Sequence, residues 1–290
     1  MNHRKLGRTG LDVSEIGLGT ELLAKKQPVD IVSNVIAAAI DSGINFFDVL
    51  VMDPAFLQAA GMLFQKYREN IIISGHFGIG IVNGKTTRVR KVNDAITSFH
   101  AMIDNLGVDY VDIAMLEYVS EKEYPKFIKD GGLVDAMNEL KKEGKARFLG
   151  LSSHDSSVLS AAIKSGTFDV VMTQVNAACS NVPWRRAVFD ACESANIGLV
   201  AIKALLGGKL FIPGKKVRIA AYQTGTETLD IKVPPGITPV RCISHVLAQR
   251  GVSVCLVGAQ TVEEIQLAFE YCTANPEARD DGSLVALFSR

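Results

Sequence analysis

The chain has 290 residues, 48% of them hydrophobic, and its 31 basic and 31 acidic side chains balance to a formal charge of zero. That neutrality gives no electrostatic reason to expect a nucleic acid or an anionic membrane surface as a partner. No apolar run reaches the roughly 20 residues that span a bilayer, and the opening MNHRKLGRTG lacks the apolar core of a secretory signal, so a cytoplasmic protein is expected. Cys179, Cys192, Cys242, Cys255 and Cys272 are scattered, odd in number and form no CxxC pair. Such spacing argues against a disulfide framework or zinc ribbon and fits a reducing compartment.

Short apolar runs alternate with longer amphipathic ones. In chain order the strand candidates are 14–20 (SEIGLGT), 44–49 (INFFDV), 70–76 (NIIISGH), 110–117 (YVDIAMLE), 147–153 (RFLGLSS), 169–175 (DVVMTQV), 198–203 (GLVAIK) and 252–258 (VSVCLVG). They are nearly continuous in Val, Ile, Leu and Phe, as expected of parallel strands covered on both faces. Helix candidates lie between them, beginning with VDIVSNVIAAAIDSG at 29–43, which has helical apolar spacing and a Gly stop. Eight strands, each followed by a helix, predict one domain over 1–290 with a (β/α)8 TIM-barrel fold. An open doubly wound sheet is the alternative, but no GxGxxG follows the first strand. Two segments fall outside the repeat. One is the tail 273–290; the other is 204–236, too long for an ordinary connection and predicted to cover the barrel mouth.

The residues filling this pattern resemble the aldo/keto reductases over nearly the whole chain, from about Lys5 to the last predicted helix. RKLGRTGLDVSEIGLGT is similar to the family's N-terminal β-hairpin and first strand. DSGINFFD resembles its second strand, GVDYVDIAML its fourth and LKKEGKARFLGLSSHD its fifth. The resemblance implies a (β/α)8 barrel that binds NADPH and reduces carbonyls. It implies a Tyr proton donor supported by an Asp, a Lys and a His at the mouth.

Carried over position by position, the resemblance gives a divergent member. Asp48 matches the family's aspartate. The ungapped reading keeps Gly61 in register and puts Asp53 where the Tyr belongs. His76 stands in place of the Lys that closes the third strand, and Glu117 in place of the His that closes the fourth. Ser152 and Gln174 match the residues that hold the nicotinamide carboxamide. Ser153 replaces an expected Asn, and Ile202 aligns with the ring that stacks on the nicotinamide. Leu267 and Ala268 occupy the positions of a Glu-Asn pair at the adenine end, where Glu263 and Glu264 would repel a 2′-phosphate. NAD(P) is therefore not the expected cofactor.

Parallel barrels place their active sites at the C-terminal strand ends, and neighbouring strands lie about 4.8 Å apart. Asp48, His76 and Glu117 are thus expected to converge, and two chemistries suit them. One is a divalent metal (Zn, Mn or Fe) bound by Asp48, His76 and Glu117, with Asp53 or His154 as a further ligand. The other is acid/base catalysis by Glu117, raised in pKa by burial, and His76, near neutrality. Plainer roles are a buried Asp48–His76 salt bridge, an N-cap for Asp53 and a helix-cap neighbour for His154. Asn176 and Lys203 are expected to contact substrate, Lys203 as partner of a carboxylate. KTTRVRK at 85–91 reads as a solvated loop and helix start that could steer an anion. The leading expectation is a non-redox lyase, isomerase or hydrolase acting on a small oxygenated molecule. An atypical NAD(P)-dependent oxidoreductase, supported by Ser152, Gln174 and the glycine-rich ALLGGKL, and a non-catalytic binding protein are the alternatives.

Overall fold

All eight apolar runs form strands in the computed structural model, which describes residues 1–24, 27–179, 183–220, 228–280 and 282–288. They are β1 (Ile16–Gly19), β2 (Phe46–Val49), β3 (Ile72–Phe77), β4 (Val111–Leu116), β5 (Ala146–Ser152), β6 (Val170–Gln174), β7 (Gly198–Ile202) and β8 (Val252–Gly258), paired in parallel and in chain order into a closed barrel. The helices α1 (Val29–Asp41), α2 (Pro54–Lys66), α3 (Val92–Leu106), α4 (Leu133–Lys142), α5 (Ser156–Ser165), α6 (Pro183–Ser194), α7 (Pro239–Leu247) and α8 (Val262–Thr273) follow the strands in turn. This is the expected (β/α)8 barrel. An antiparallel hairpin of His3–Lys5 and Asp12–Ser14 precedes it.

Strand alternation splits the apolar residues into two cores. Phe46, Ile72, Ile113, Met115, Val170, Met172, Val200, Val254 and Leu256 form one cluster, joined by Leu6 and Val13 from the hairpin region. These are the inward side chains, and the hairpin closes the barrel beneath them. Their neighbours along the strands, such as Phe47, Ile73, Ala114, Val171 and Ala201, join the larger cluster under the helices. Continuing the inward alternation past the apolar layers brings Asp48, His76, Glu117, Ser152, Gln174 and Ile202 to the mouth. The strand pattern that fills the barrel therefore also selects its polar rim.

Two regions differ from expectation. Residues 85–91 do not form a plain solvated loop: Lys85–Arg88 pairs with Ile79–Val82 as an antiparallel hairpin. Its two-residue turn is Asn83-Gly84, with φ of 52° and 71°, the dihedral pattern that favours this dipeptide in tight hairpins. The segment 204–236 also carries a hairpin, Lys216–Ala220 with Thr228–Lys232. Val217 and Val233 pack with Ala177, Cys179, Leu210, Cys242 and Leu284 in a small satellite core. Leu284 comes from the tail, whose described residues include a helix over Gly282–Phe288. The extra segments are thus anchored to the β6 side of the rim.

Helices α2 and α3 meet at Gly61, where an added Cβ would stand 2.3 Å from the carbonyl oxygen of Leu106. An exposed helix interior gains up to about 1 kcal/mol from Gly→Ala, but backbone overlap reverses the sign here. Gly61→Ala is expected to destabilise the protein by about 1–3 kcal/mol, measured as a lower urea midpoint with an unchanged slope.

Candidate active site

β2, β3 and β4 are adjacent, and their register sets the geometry of the acidic side of the mouth. Asp48 lies opposite Ser74, and His76 opposite Met115. The Glu117 N–H extends the β3–β4 ladder by one bond to the Phe77 carbonyl, at 2.9 Å. His76 therefore stands one inward step above Asp48, with Glu117 beside it. Its Nε2 lies 3.0 Å from Asp48 Oδ1 and its Nδ1 lies 2.6 Å from Glu117 Oε2. Both ring nitrogens face carboxylates, so an imidazolium donating from each satisfies both contacts.

The electrostatics agree with that protonation state. Burial alone would pull His76 down, but Asp48 and Glu117 outweigh it through charge and hydrogen bonds, and its pKa is raised to about 10. For Glu117, burial pushes the carboxyl up, but the His76 charge and hydrogen bond, aided by Arg88 and Arg90, bring it below the ordinary carboxylate range. Both directions correct the expected pairing of a raised Glu117 with a near-neutral His76. The physical reason is that the imidazole sits between two carboxylates.

Arg90 positions this end of β4. Its Nη2 donates to the carbonyls of Glu117 and Tyr118, its Nη1 to that of Gly78, and its Nε to Glu123 Oε1. Arg90 is not marked by its local sequence, because 85–91 reads as a solvated loop and helix start. The Asn83-Gly84 turn is the available signal, because it places Arg88 at the end of a hairpin's returning arm and Arg90 just past it. Tyr118 was also missed; its φ of +34° is unusual for an aromatic residue and has no local sequence signature.

Asp53 is not in the cluster contacts. It is an exposed N-cap of α2, accepting from the Phe56 N–H at 2.9 Å. His154 likewise stands apart from the carboxylates: its Nε2 lies 2.8 Å from Lys203 Nζ. Burial, with Lys203 and Arg185 adding to it, pulls His154 down to about 3, so its ring is neutral and accepts from the lysine. The proposed metal site does not form. Asp48 and Glu117 take the two nitrogens that a metal would need, and no group of three or more His, Cys, Asp or Glu among the described residues is arranged to hold a metal ion.

Ser152, Gln174 and Asn176 lie at or just past the ends of β5 and β6, all buried. Asn176 donates weakly to the Lys203 carbonyl at 3.4 Å, while its buried Oδ1 has no hydrogen-bond partner among the described residues. A buried orphan acceptor is uncommon and suits a ligand that brings an N–H or O–H donor. Ser153, in contrast, is used within the fold, donating to the Val119 carbonyl at 2.7 Å.

Residues 15–280 match the model of the aldo/keto reductase family. The chain is 28% identical over 289 residues to L-galactose dehydrogenase of Arabidopsis thaliana, covering 91% of this chain and 85% of that one. It is 27% identical over 180 residues to an uncharacterized oxidoreductase of Bacillus subtilis, covering 60% of this chain and only 56% of the relative. An aldo-keto reductase from Bacillus halodurans, solved in its holo form, superposes with a TM-score of 0.79 at 19% identity, covering 100% of this chain and 97% of that one. These findings overturn the non-redox reading, because the matched family and relatives are oxidoreductases by name. They also overturn the expectations of a metal cofactor and of no NAD(P).

Removing His76 would leave two carboxylates facing each other without a counter-charge, an error that costs about 3–5 kcal/mol in buried pairs. Because the folded pKa of His76 lies above the ordinary histidine value of 6.5, its stabilisation is complete below about 6.5 and is lost as pH rises towards 10. Urea unfolding of wild type and His76→Gln should therefore show a wide stability gap at pH 6 that narrows by pH 10. A gap that is constant with pH would show that the imidazole is not charged by its neighbours.

Proposed function

This chain belongs to the aldo/keto reductase family, and from that membership and the mouth geometry we propose that it is an NAD(P)-dependent oxidoreductase acting on a small hydroxylated molecule in the alcohol-oxidising direction. The observation that carries the direction is the charge state of the mouth. Glu117 is held as a carboxylate with Oε2 on His76, and both His76 nitrogens are directed at carboxylates. The mouth therefore presents an ionised carboxylate as its proton acceptor, while the His76 protons are held by the two carboxylates. The relative matched over 91% of this chain is named for the dehydrogenation of L-galactose, which is the same direction. The departure from a Tyr-driven site, with Asp53, His76 and Glu117 at the matched positions, belongs to this reading.

The residues present fit the nicotinamide end of the cofactor. A carboxamide offers two N–H donors and one carbonyl acceptor. Ser152 and Gln174 supply hydroxyl and amide groups for it, and the orphan Oδ1 of Asn176 supplies an acceptor. When bound there, the nicotinamide supplies hydride exchange with the carbon that bears the alcohol. Glu117 takes the hydroxyl proton of the substrate, and the O–H electron pair is left to form the carbonyl. His76 holds the Glu117 carboxylate in place and keeps it ionised, and Asp48 fixes the imidazolium from the opposite nitrogen. Arg90 fixes the backbone beneath Glu117. At the start of α8, Glu263 and Glu264 oppose a 2′-phosphate, which favours NAD(H) over NADP(H). The free state of the described cysteines fits the proposed reducing, cytoplasmic setting.

Titration with NADH, read by nucleotide fluorescence, is expected to give saturable binding that Ser152→Ala with Gln174→Ala weakens by about 10-fold. Binding of neither NADH nor NADPH at millimolar concentration would sink the proposal. Glu117→Gln should keep the NADH affinity and lower the alcohol-oxidation rate by about 10²- to 10⁴-fold. An unchanged rate would remove Glu117 as the base.

A further inference from the structure

A second polar group stands at the same mouth, at the ends of β4, β5 and β7. It consists of Tyr118, His154 and Lys203, with Arg88 arriving from the hairpin arm. Tyr118 and Lys203 both have positive φ, +34° and +60°, a costly conformation for residues with a Cβ and one that tends to mark functional sites. The Tyr118 ring meets His154 edge-on at 5.3 Å and carries the Arg88 guanidinium over its face at 4.3 Å. His154 Nε2 in turn fixes Lys203 Nζ at 2.8 Å.

The chemistry of the lysine is incomplete. Its one side-chain partner among the described residues is the neutral His154, which takes one of three N–H donors and offers no counter-charge. Burial draws its pKa down, while the charges of Glu21 and Glu117 act on it in the opposite sense. Glu117 follows the end of β4 and Lys203 the end of β7, so both stand at the same mouth of the barrel. A charged base and a fixed cation thus share one opening. A molecule with a hydroxyl for the first and an anion for the second would complete both.

We propose that Lys203 is a carboxylate-binding group of the substrate site, so that the substrate is a hydroxy acid or sugar acid that presents its alcohol to Glu117 and its carboxylate to Lys203. The assignment rests on the oxidoreductase reading and adds the substrate class. His154 acts as a positioning residue that aims the ammonium, and Tyr118 walls the space between. Arg88 supplies a second positive charge on the approach. A dinucleotide pyrophosphate shares the anionic chemistry, so the test separates the two anions.

The protein is saturated with NADH, and the binding of matched pairs is measured by calorimetry: D-galacturonate against D-galactose, and D-glycerate against glycerol. Wild type is expected to bind each acid at least about tenfold more tightly than its neutral partner, the worth of one charge-assisted hydrogen bond. Lys203→Met should abolish the preference with NADH affinity unchanged within about threefold, and Lys203→Arg should retain it. Equal binding of the paired ligands, or none, by NADH-loaded wild type overturns this assignment alone. A Lys203→Met protein that keeps the acid preference but binds NADH about tenfold more weakly assigns the amine to the cofactor and overturns it as well. Wild type that binds no NADH removes the oxidoreductase reading and this assignment together.

Discussion

Two carboxylates on strands that flank a third repel each other unless a positive charge stands between them, and in this protein that charge is the His76 ring on β3. Asp48 and Glu117 occupy opposite nitrogens of the imidazole, at 3.0 and 2.6 Å. Burial disfavours the imidazolium, yet the two charges and their hydrogen bonds win, which moves the ring to about 10. Once His76 is cationic, Glu117 is held ionised and the polarity of the mouth is fixed. Ordering of β2, β3 and β4 then serves charge balance as well as packing.

The same interaction organises what surrounds it. Arg90 ties the carbonyls of Gly78, Glu117 and Tyr118 together, so the hairpin after β3 braces the end of β4. His154 provides the contrast. It sits close to cations rather than carboxylates and is driven down to about 3. Two buried histidines at one mouth thus carry opposite protonation states. Neighbouring charge decides between them, since burial acts in the same direction on both.

Much of the fold was legible because its strands are short apolar runs with helical segments between them. The inward positions Asp48, His76 and Glu117 followed from where those runs stop. What sequence spacing did not yield was charge state. Whether His76 is neutral or cationic depends on contacts of about 3 Å to two side chains 28 and 41 residues away, and that balance has no local signature. The metal reading failed for the same reason: three suitable ligands were identified, but two of them turned towards the third. Asp53 was legible as an N-cap from the Pro that follows it. The hairpin at Asn83-Gly84 was legible as well, and reading it would have moved Arg88 and Arg90 from solvent to the site. Tyr118 and Lys203 were different, since their positive φ values run against residue preference and are imposed by the tertiary structure.

His76 carries a proton on each nitrogen at neutral pH because the two carboxylates beside it require it. Nitrogen-15 NMR of the histidine side chains tests this most directly, with His76→Gln used for assignment. Both His76 nitrogens are expected to remain protonated at pH 8 and to titrate only as pH approaches about 10. A ring that is neutral at pH 8, titrating near the ordinary value of about 6.5, would contradict it.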